Sequence, residues 1–230
     1  MRLLVSGSIR ASADPRVGYL LTPRNPNSLA SILATGLPWA ADNGCYAGFD
    51  PAGFGDYLGR IAHQPRCLFV CVPDCVGNAL GTLWQFWFWR SRVAAAGQPL
   101  AFVGQDGAED LHVPWGQFAV WFIGGSTAWK LSGASADLAR EAKARGKYIH
   151  MGRVNSLRRL QAAYDMGCDS VDGSSYSRWA HRARLGRPDM SLARHLAFIE
   201  QLSHEPTLWG YGADQTNGEA PSRATSLPQV

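Results

Sequence analysis

The chain has 230 residues, 46% hydrophobic and 17% charged, with 9 Trp, 7 Tyr and 9 Phe; this excludes intrinsic disorder and suffices for one single-core domain. Its 25 Gly and 13 Pro show no period, which excludes a collagen-like chain, and no apolar run reaches the ~18 residues of a membrane span. The 22 Lys/Arg and 18 Asp/Glu leave a net charge of +4, yet Arg140 to Arg194 holds 12 basic and 5 acidic residues, which fits a polyanionic partner on one face or a solvated Arg-rich surface.

The opening Met1-Arg2-Leu3-Leu4-Val5-Ser6 has too short an apolar core for a secretory signal and reads as a first strand. In chain order, short apolar, β-branched or aromatic runs ending at Gly, Asp or Asn predict strands at Leu3–Ser6, Trp39–Asn43, Leu68–Asp74, Ala101–Gln105, Val120–Gly125, Tyr148–Gly152, Ser170–Gly173 and Thr207–Gly210. Helical patterns lie between most of them. Ala136–Gly146 is rich in Ala, Arg and Lys and ends at a C-cap glycine. Asn155–Gly167 sets Leu157, Leu160, Ala163 and Tyr164 on one face, and Ser191–Leu202 repeats the pattern with Leu192, Leu196 and Ile199. Buried strands alternating with helices predict parallel β/α units, and about eight of them predict an α/β fold, a compact (β/α)8 TIM-like barrel. A doubly wound open sheet is the alternative. The barrel domain is placed at residues 1–212, followed by a polar, flexible tail over 213–230.

Trp84-Gln85-Phe86-Trp87-Phe88-Trp89 spreads aromatics over more than one helical face, so some of them meet a neighbour beyond the local core. Helix–barrel packing, a subunit interface and base stacking are the three candidates. The odd count of five cysteines argues for a reducing compartment, hence the cytoplasm. Cys67, Cys71 and Cys75 sit in or beside a strand-like run and serve packing. Without a Cys-x-x-Cys pair, no structural zinc site is expected.

In a barrel, chemistry gathers at the C-terminal strand ends. There the sequence offers Asp42-Asn43-Gly44, Asp74, Gln105-Asp106-Gly107, Gly124-Gly125-Ser126, His150-Met151-Gly152 and Asp172-Gly173-Ser174. A strand-end Asp can serve only as a helix N-cap, but Asp42 and Asp172 precede Gly rather than a helical run. Such a set suits glycosyl chemistry. One carboxylate can attack a sugar carbon, a second can manage protons, and a third can accept N–H bonds from a guanine-like edge. His150, His181 and His195 are read as structural or surface residues.

Taken in order, Asp42-Asn43-Gly44-Cys45-Tyr46, Asp74, Gln105-Asp106-Gly107, Gly124-Gly125-Ser126, Met151-Gly152-Arg153 and Asp172-Gly173-Ser174-Ser175-Tyr176-Ser177-Arg178 resemble the tRNA-guanine transglycosylase superfamily over residues 39 to 178. The tRNA enzymes are longer and carry a Cys/His zinc site after the nucleophile, which this chain lacks. It looks more like the compact phage and bacterial branch that exchanges guanine in DNA for a 7-deazaguanine.

The resemblance implies that Asp172 is the nucleophile and Asp42 the general acid/base. Asp74, Gln105 and the Gly124/Gly125 backbone would hold the base, with Met151 or Tyr46 covering its ring. Arg153, Arg158, Arg159, Arg178, Arg182, Arg184 and Arg187 are the candidate phosphate contacts. The implied partners are DNA, with RNA as the alternative, an incoming base such as 7-cyano-7-deazaguanine, and guanine as the product. No metal or redox cofactor is implied, and a homodimer is left open. The implied setting is a bacterial or phage-infected cell. Base-releasing hydrolysis and a non-catalytic nucleic-acid-binding barrel are the other readings.

Overall fold

Strands covered on both sides are apolar along their whole length. The segments Arg2–Ser6 (β1), Val17–Leu21 (β2), Trp39–Ala41 (β3), Cys67–Cys71 (β4), Leu100–Gly104 (β5), Val120–Ile123 (β6), Tyr148–Met151 (β7) and Ser170–Gly173 (β8) are mainly apolar and mostly buried, with His150 of β7 and Ser170 and Asp172 of β8 as buried polar exceptions. In the computed structural model, which describes residues 1–6, 14–24, 29–173 and 190–204, they form a closed barrel in the order β1 to β8. Every pairing is parallel. The ring closes where Arg2, Leu3, Leu4 and Val5 of β1 pair with Ser170, Val171, Asp172 and Gly173 of β8.

Outside the ring lie the helices Leu29–Thr35 (α1), Pro51–Ile61 (α2), Ala79–Ala94 (α3), Thr127–Lys130 (α4), Gly133–Ala144 (α5), Leu157–Asp165 (α6) and Met190–His204 (α7). No helix among the described residues is long and apolar enough to cross a membrane. The fold is thus a (β/α)8 TIM-like barrel. The tail over 213–230 lies outside the described residues.

Two apolar layers follow from the period-two alternation of the strands. Leu4, Leu20, Ala40, Phe69, Cys71, Ala101, Val103, Val120 and Phe122 fill the barrel interior. Their neighbours in sequence, among them Leu3, Val5, Tyr19, Trp39, Val70, Phe102, Trp121 and Ile149, point outward and join the core beneath the helices. Among the outward residues, the Phe102 and Trp121 rings stack with centroids 5.8 Å apart.

The strand count of eight is met by a different set of strands. β2 is Val17–Leu21, a run broken by Gly18 and ending at Thr22-Pro23, so it lacks the Gly, Asp or Asn stop that marks the others. The strand that ends at Asp42 is therefore the third, not the second. Thr207–Gly210 lies outside the described residues, and the ring closes without it.

Gly18 marks where β1, β2 and β3 come closest. A Cβ there would lie 2.7 Å from the Pro38 carbonyl oxygen and 2.8 Å from Leu4 Cδ2. The carbonyl is backbone and cannot rotate away. Gly18→Ala is expected to cost about 1–3 kcal/mol through overpacking, measured as a lower denaturant midpoint at unchanged slope. An unchanged midpoint would show that the strands can separate there without penalty.

Candidate active site

The alternation that fills the barrel also selects which strand-end side chains meet. Continuing the inward rows two residues at a time leads from Ala40 to Asp42, from Val103 to Gln105, from Phe122 to Gly124, from His150 to Gly152 and from Ser170 to Asp172. Asp42, Gln105, Gly124, Gly152 and Asp172 all line one cavity, together with Leu20, Asn43, Tyr46, Cys71, Asp74, Val76, Val103, Phe122 and Arg153. The space between these residues is about 490 Å³ when the solvent-open mouth is included. Met151 is out of phase with this row. It is fully buried in the outer apolar layer and does not cover a ring in the cavity.

The strand-end carboxylates are not the caps of the helices that follow. Asp50, Asn78, Ser126, Ser132 and Ser156 cap α2, α3, α4, α5 and α6, each accepting a first-turn backbone N–H. Asp106 does the structural work expected of a loop carboxylate, accepting both the N–H (2.7 Å) and the hydroxyl of Ser126.

Asp172 is 8% exposed. Its Oδ1 lies 3.0 Å from His150 Nε2 and 3.3 Å from the Arg153 backbone nitrogen. A carboxylate oxygen accepts from Nε2–H, which leaves Nδ1 of a neutral ring to accept the Ser170 hydroxyl proton at 2.7 Å. His150 is wholly buried, with its ring centroid 4.6 Å from Phe122 and 5.0 Å from Phe69. It therefore fixes the Asp172 carboxylate and takes no direct part at the mouth. A Cβ on Gly152 would lie 2.7 Å from the Phe122 ring and 3.3 Å from Asp172 Oδ1, so glycine keeps the space beside the carboxylate clear.

Asp42 and Asp74 are joined through Asn43. The Asn43 backbone N–H donates to Asp42 Oδ1 at 2.8 Å, and its side-chain amide donates to Asp74 Oδ1 at 2.8 Å and to the Val72 carbonyl at 2.9 Å. Asn43 Oδ1 accepts the Cys45 N–H at 2.9 Å, in a turn made possible by the left-handed Gly44. Gln105 completes the Asp74 environment: its amide nitrogen donates to Asp74 Oδ2, and its oxygen accepts the Gly77 N–H at 2.9 Å. Each carboxylate oxygen has two lone pairs, so Asp74 keeps acceptor capacity toward the cavity.

Three carboxylates line one cavity, Asp172 buried and Asp42 and Asp74 half-buried at its mouth. Burial, followed by repulsion from Asp172 and then Asp74, pushes the Asp42 carboxyl up to about 7. Burial also raises Asp74, against the opposing bonds from Asn43, Cys45 and Gln105.

The far wall differs from what the sequence suggests. The N–H groups of Gly124 and Gly125 both donate to the Gly104 carbonyl, at 2.9 and 3.1 Å, so as placed they do not face a bound base. Their carbonyls accept from Arg153, at 3.2 and 2.6 Å. Arg153 has a left-handed backbone (φ 59°), and its guanidinium lies 4.6 Å from the centre of the Tyr46 ring at the rim. Beneath it is Lys130, 2% exposed, whose ammonium donates to the Gly152 carbonyl at 2.6 Å. Burial, with Arg153 nearby, pushes that ammonium down to about 7. Arg158 is exposed on α6, while Arg159 donates to the Arg153 carbonyl at 2.9 Å. Arg178, Arg182, Arg184 and Arg187 lie outside the described residues.

His150, read from the sequence as structural or surface, is buried and supports Asp172. Asn43 and Lys130 are site residues to which sequence reasoning gave no role. Comparison with protein-family models and with curated proteins gives no match to the chain.

Asp42 makes stability depend on pH. Below about pH 4 it is protonated in both the folded and the unfolded chain. From there to about 7 the folded chain keeps a proton that the unfolded chain releases, so this contribution to stability is lost as pH rises. Asp42→Asn retains the neutral form. Its melting temperature relative to the parent protein is expected to climb between pH 4 and pH 7 and then level off. A difference independent of pH would contradict the raised carboxyl.

Proposed function

We propose that the chain is a base-exchanging transglycosylase that replaces guanine in DNA with a 7-deazaguanine. The observation that carries this reading is the pair Asp42 and Asp172 on one cavity, with Asp42 pushed up to about 7 and Asp172 held by His150 and the Arg153 N–H. A glycosyl transfer that retains configuration needs such a division of labour between two carboxyl groups.

Asp172 attacks C1′ of the target nucleotide as the C1′–N9 bond breaks, and the bonding pair leaves with guanine. The proton on Asp42 goes to the departing base, so guanine leaves neutral and Asp42 becomes the carboxylate. A sugar–Asp172 ester remains. The incoming deazapurine then gives its N9 proton to Asp42 while N9 attacks C1′, and the ester oxygen departs as the Asp172 carboxylate. Both displacements balance without a metal or redox cofactor.

Asp74 accepts the N–H groups of the base edge, and Gln105 and Asn43 hold it in place for that task. Tyr46, at the rim, covers the ring. The target must leave its stack to reach the cavity, so the substrate is a flipped or single-stranded nucleotide. The choice of DNA rests on the resemblance to the compact branch of the superfamily.

Asp172→Ala is expected to abolish incorporation of labelled guanine into DNA in a protein that still folds. Retained incorporation would place the nucleophile elsewhere. Parallel assays on tRNA decide the nucleic acid, and abasic sites without incorporation would mark hydrolysis instead.

Because the first step uses protonated Asp42, kcat/KM for exchange is expected to fall above about pH 7, tenfold per pH unit at the limit. Rates that stay flat to pH 9 would remove Asp42 from proton transfer.

A further inference from the structure

α3 has two aromatic faces. Its inner face is complete within the fold: Phe86 packs 5.1 Å from Phe102 and 6.1 Å from Phe118, and Trp89 packs 5.4 Å from Phe49 and 5.6 Å from Phe54. The outer face keeps Leu80 56%, Trp84 73%, Trp87 46% and Phe88 67% exposed. Their spacing of four, three and one residues makes a single stripe about 12 Å long. Barrel packing therefore does not account for these side chains, and a stripe of this kind marks a contact surface.

Three observations identify what it contacts. The segment that leads into the stripe lies at the cavity: Val76, four residues before Leu80, lines it and is itself 46% exposed, the Gly77 N–H donates to Gln105, and the first residue of α3 is tied to the same region by the Ala79 N–H to the Asp106 carbonyl. Arginines lie along its far end, with the Arg90 guanidinium 4.9 Å from the Trp87 ring centre and that of Arg92 5.7 Å from the Phe88 ring centre. No Asp or Glu occurs between Asp74 and Asp106, so the surface carries cations without counter-charges from its own segment. A second copy of this helix would bring more arginine and no carboxylate. A nucleic-acid strand brings both phosphates for the arginines and base faces for the rings.

We propose that the outer face of α3 is a track for single-stranded nucleic acid, on which bases flanking the target stack on Trp84, Trp87 and Phe88 while Arg90 and Arg92 face the phosphates. The track leads the strand over Val76 into the cavity. The inference rests on the base-exchange reading for what occupies the cavity, and it specifies the substrate as an unpaired segment rather than an intact duplex.

The test is titration of the full chain with a short, labelled, mixed-sequence single-stranded oligodeoxynucleotide. Trp84→Ala and Phe88→Ala should each weaken binding about tenfold, with melting temperatures unchanged because both side chains are exposed. Arg92→Ala should lower the slope of log K against log salt by about 0.7. Unchanged affinity in both aromatic variants overturns the proposal, as does equal affinity for the corresponding duplex. Dimers in sedimentation that the aromatic substitutions disperse overturn it too, and make the stripe a protein interface. Strand binding with no base exchange would defeat the base-exchange reading and leave the track standing; exchange with unaltered binding in the variants would do the reverse.

Discussion

Taking three carboxyl groups out of bulk water around one cavity, with repulsion between them as the second effect, is the constraint around which this site is arranged. Asp42, Asp74 and Asp172 cannot all be charged there without compensation, because like charges in a poorly solvated cleft destabilise one another. Each receives a different treatment. Asp172 is given donors by His150 and by the Arg153 backbone. Asp74 is given two amides, from Asn43 and Gln105. Among the described residues, Asp42 has only the backbone N–H bonds that follow it in the turn, and its carboxyl is pushed up to about 7. Three chemically identical side chains thus come to have three different hydrogen-bonding environments.

The supporting residues are buried, and they run from strand to strand. His150 and Ser170 pair across β7 and β8 one layer beneath Asp172. On the opposite side Asn43 links the end of β3 to the segment after β4. Lys130 and Arg153 bind carbonyls of the β6 and β7 ends, which fixes the turn that presents the Arg153 N–H. The cavity wall is therefore made of groups already engaged with one another. The Gly124 and Gly125 amides belong to that wall, committed to Gly104.

α3 connects the interior to the outside. The segment that leads into it lines the cavity at Val76, its inner rings complete the core, and its outer rings meet solvent. A helix used only for packing would carry polar residues on that outer face. Keeping Trp84 and Phe88 there costs hydration free energy in the unbound protein, a cost that a stacking partner offsets.

The sequence by itself determined the architecture and the inward-facing row of the site. Strand–helix alternation fixes parallel β/α units, whose closure into a ring is decided by the β1–β8 pairing, and period two along a strand carries Asp42, Gln105 and Asp172 into the same mouth. β2 escaped because Gly18 interrupts its apolar run, and its need for glycine comes from Pro38 and Leu4, residues far from it in the chain. Only the tertiary structure decided that Met151 faces the helices, that His150 supports Asp172, and that Asn43 and Gln105 hold Asp74. It alone also raised the Asp42 carboxyl. The reason is physical: residue type and local period are properties of the chain, whereas burial, hydrogen-bond partners and the repulsion between charges depend on distances that exist only once the ring has closed.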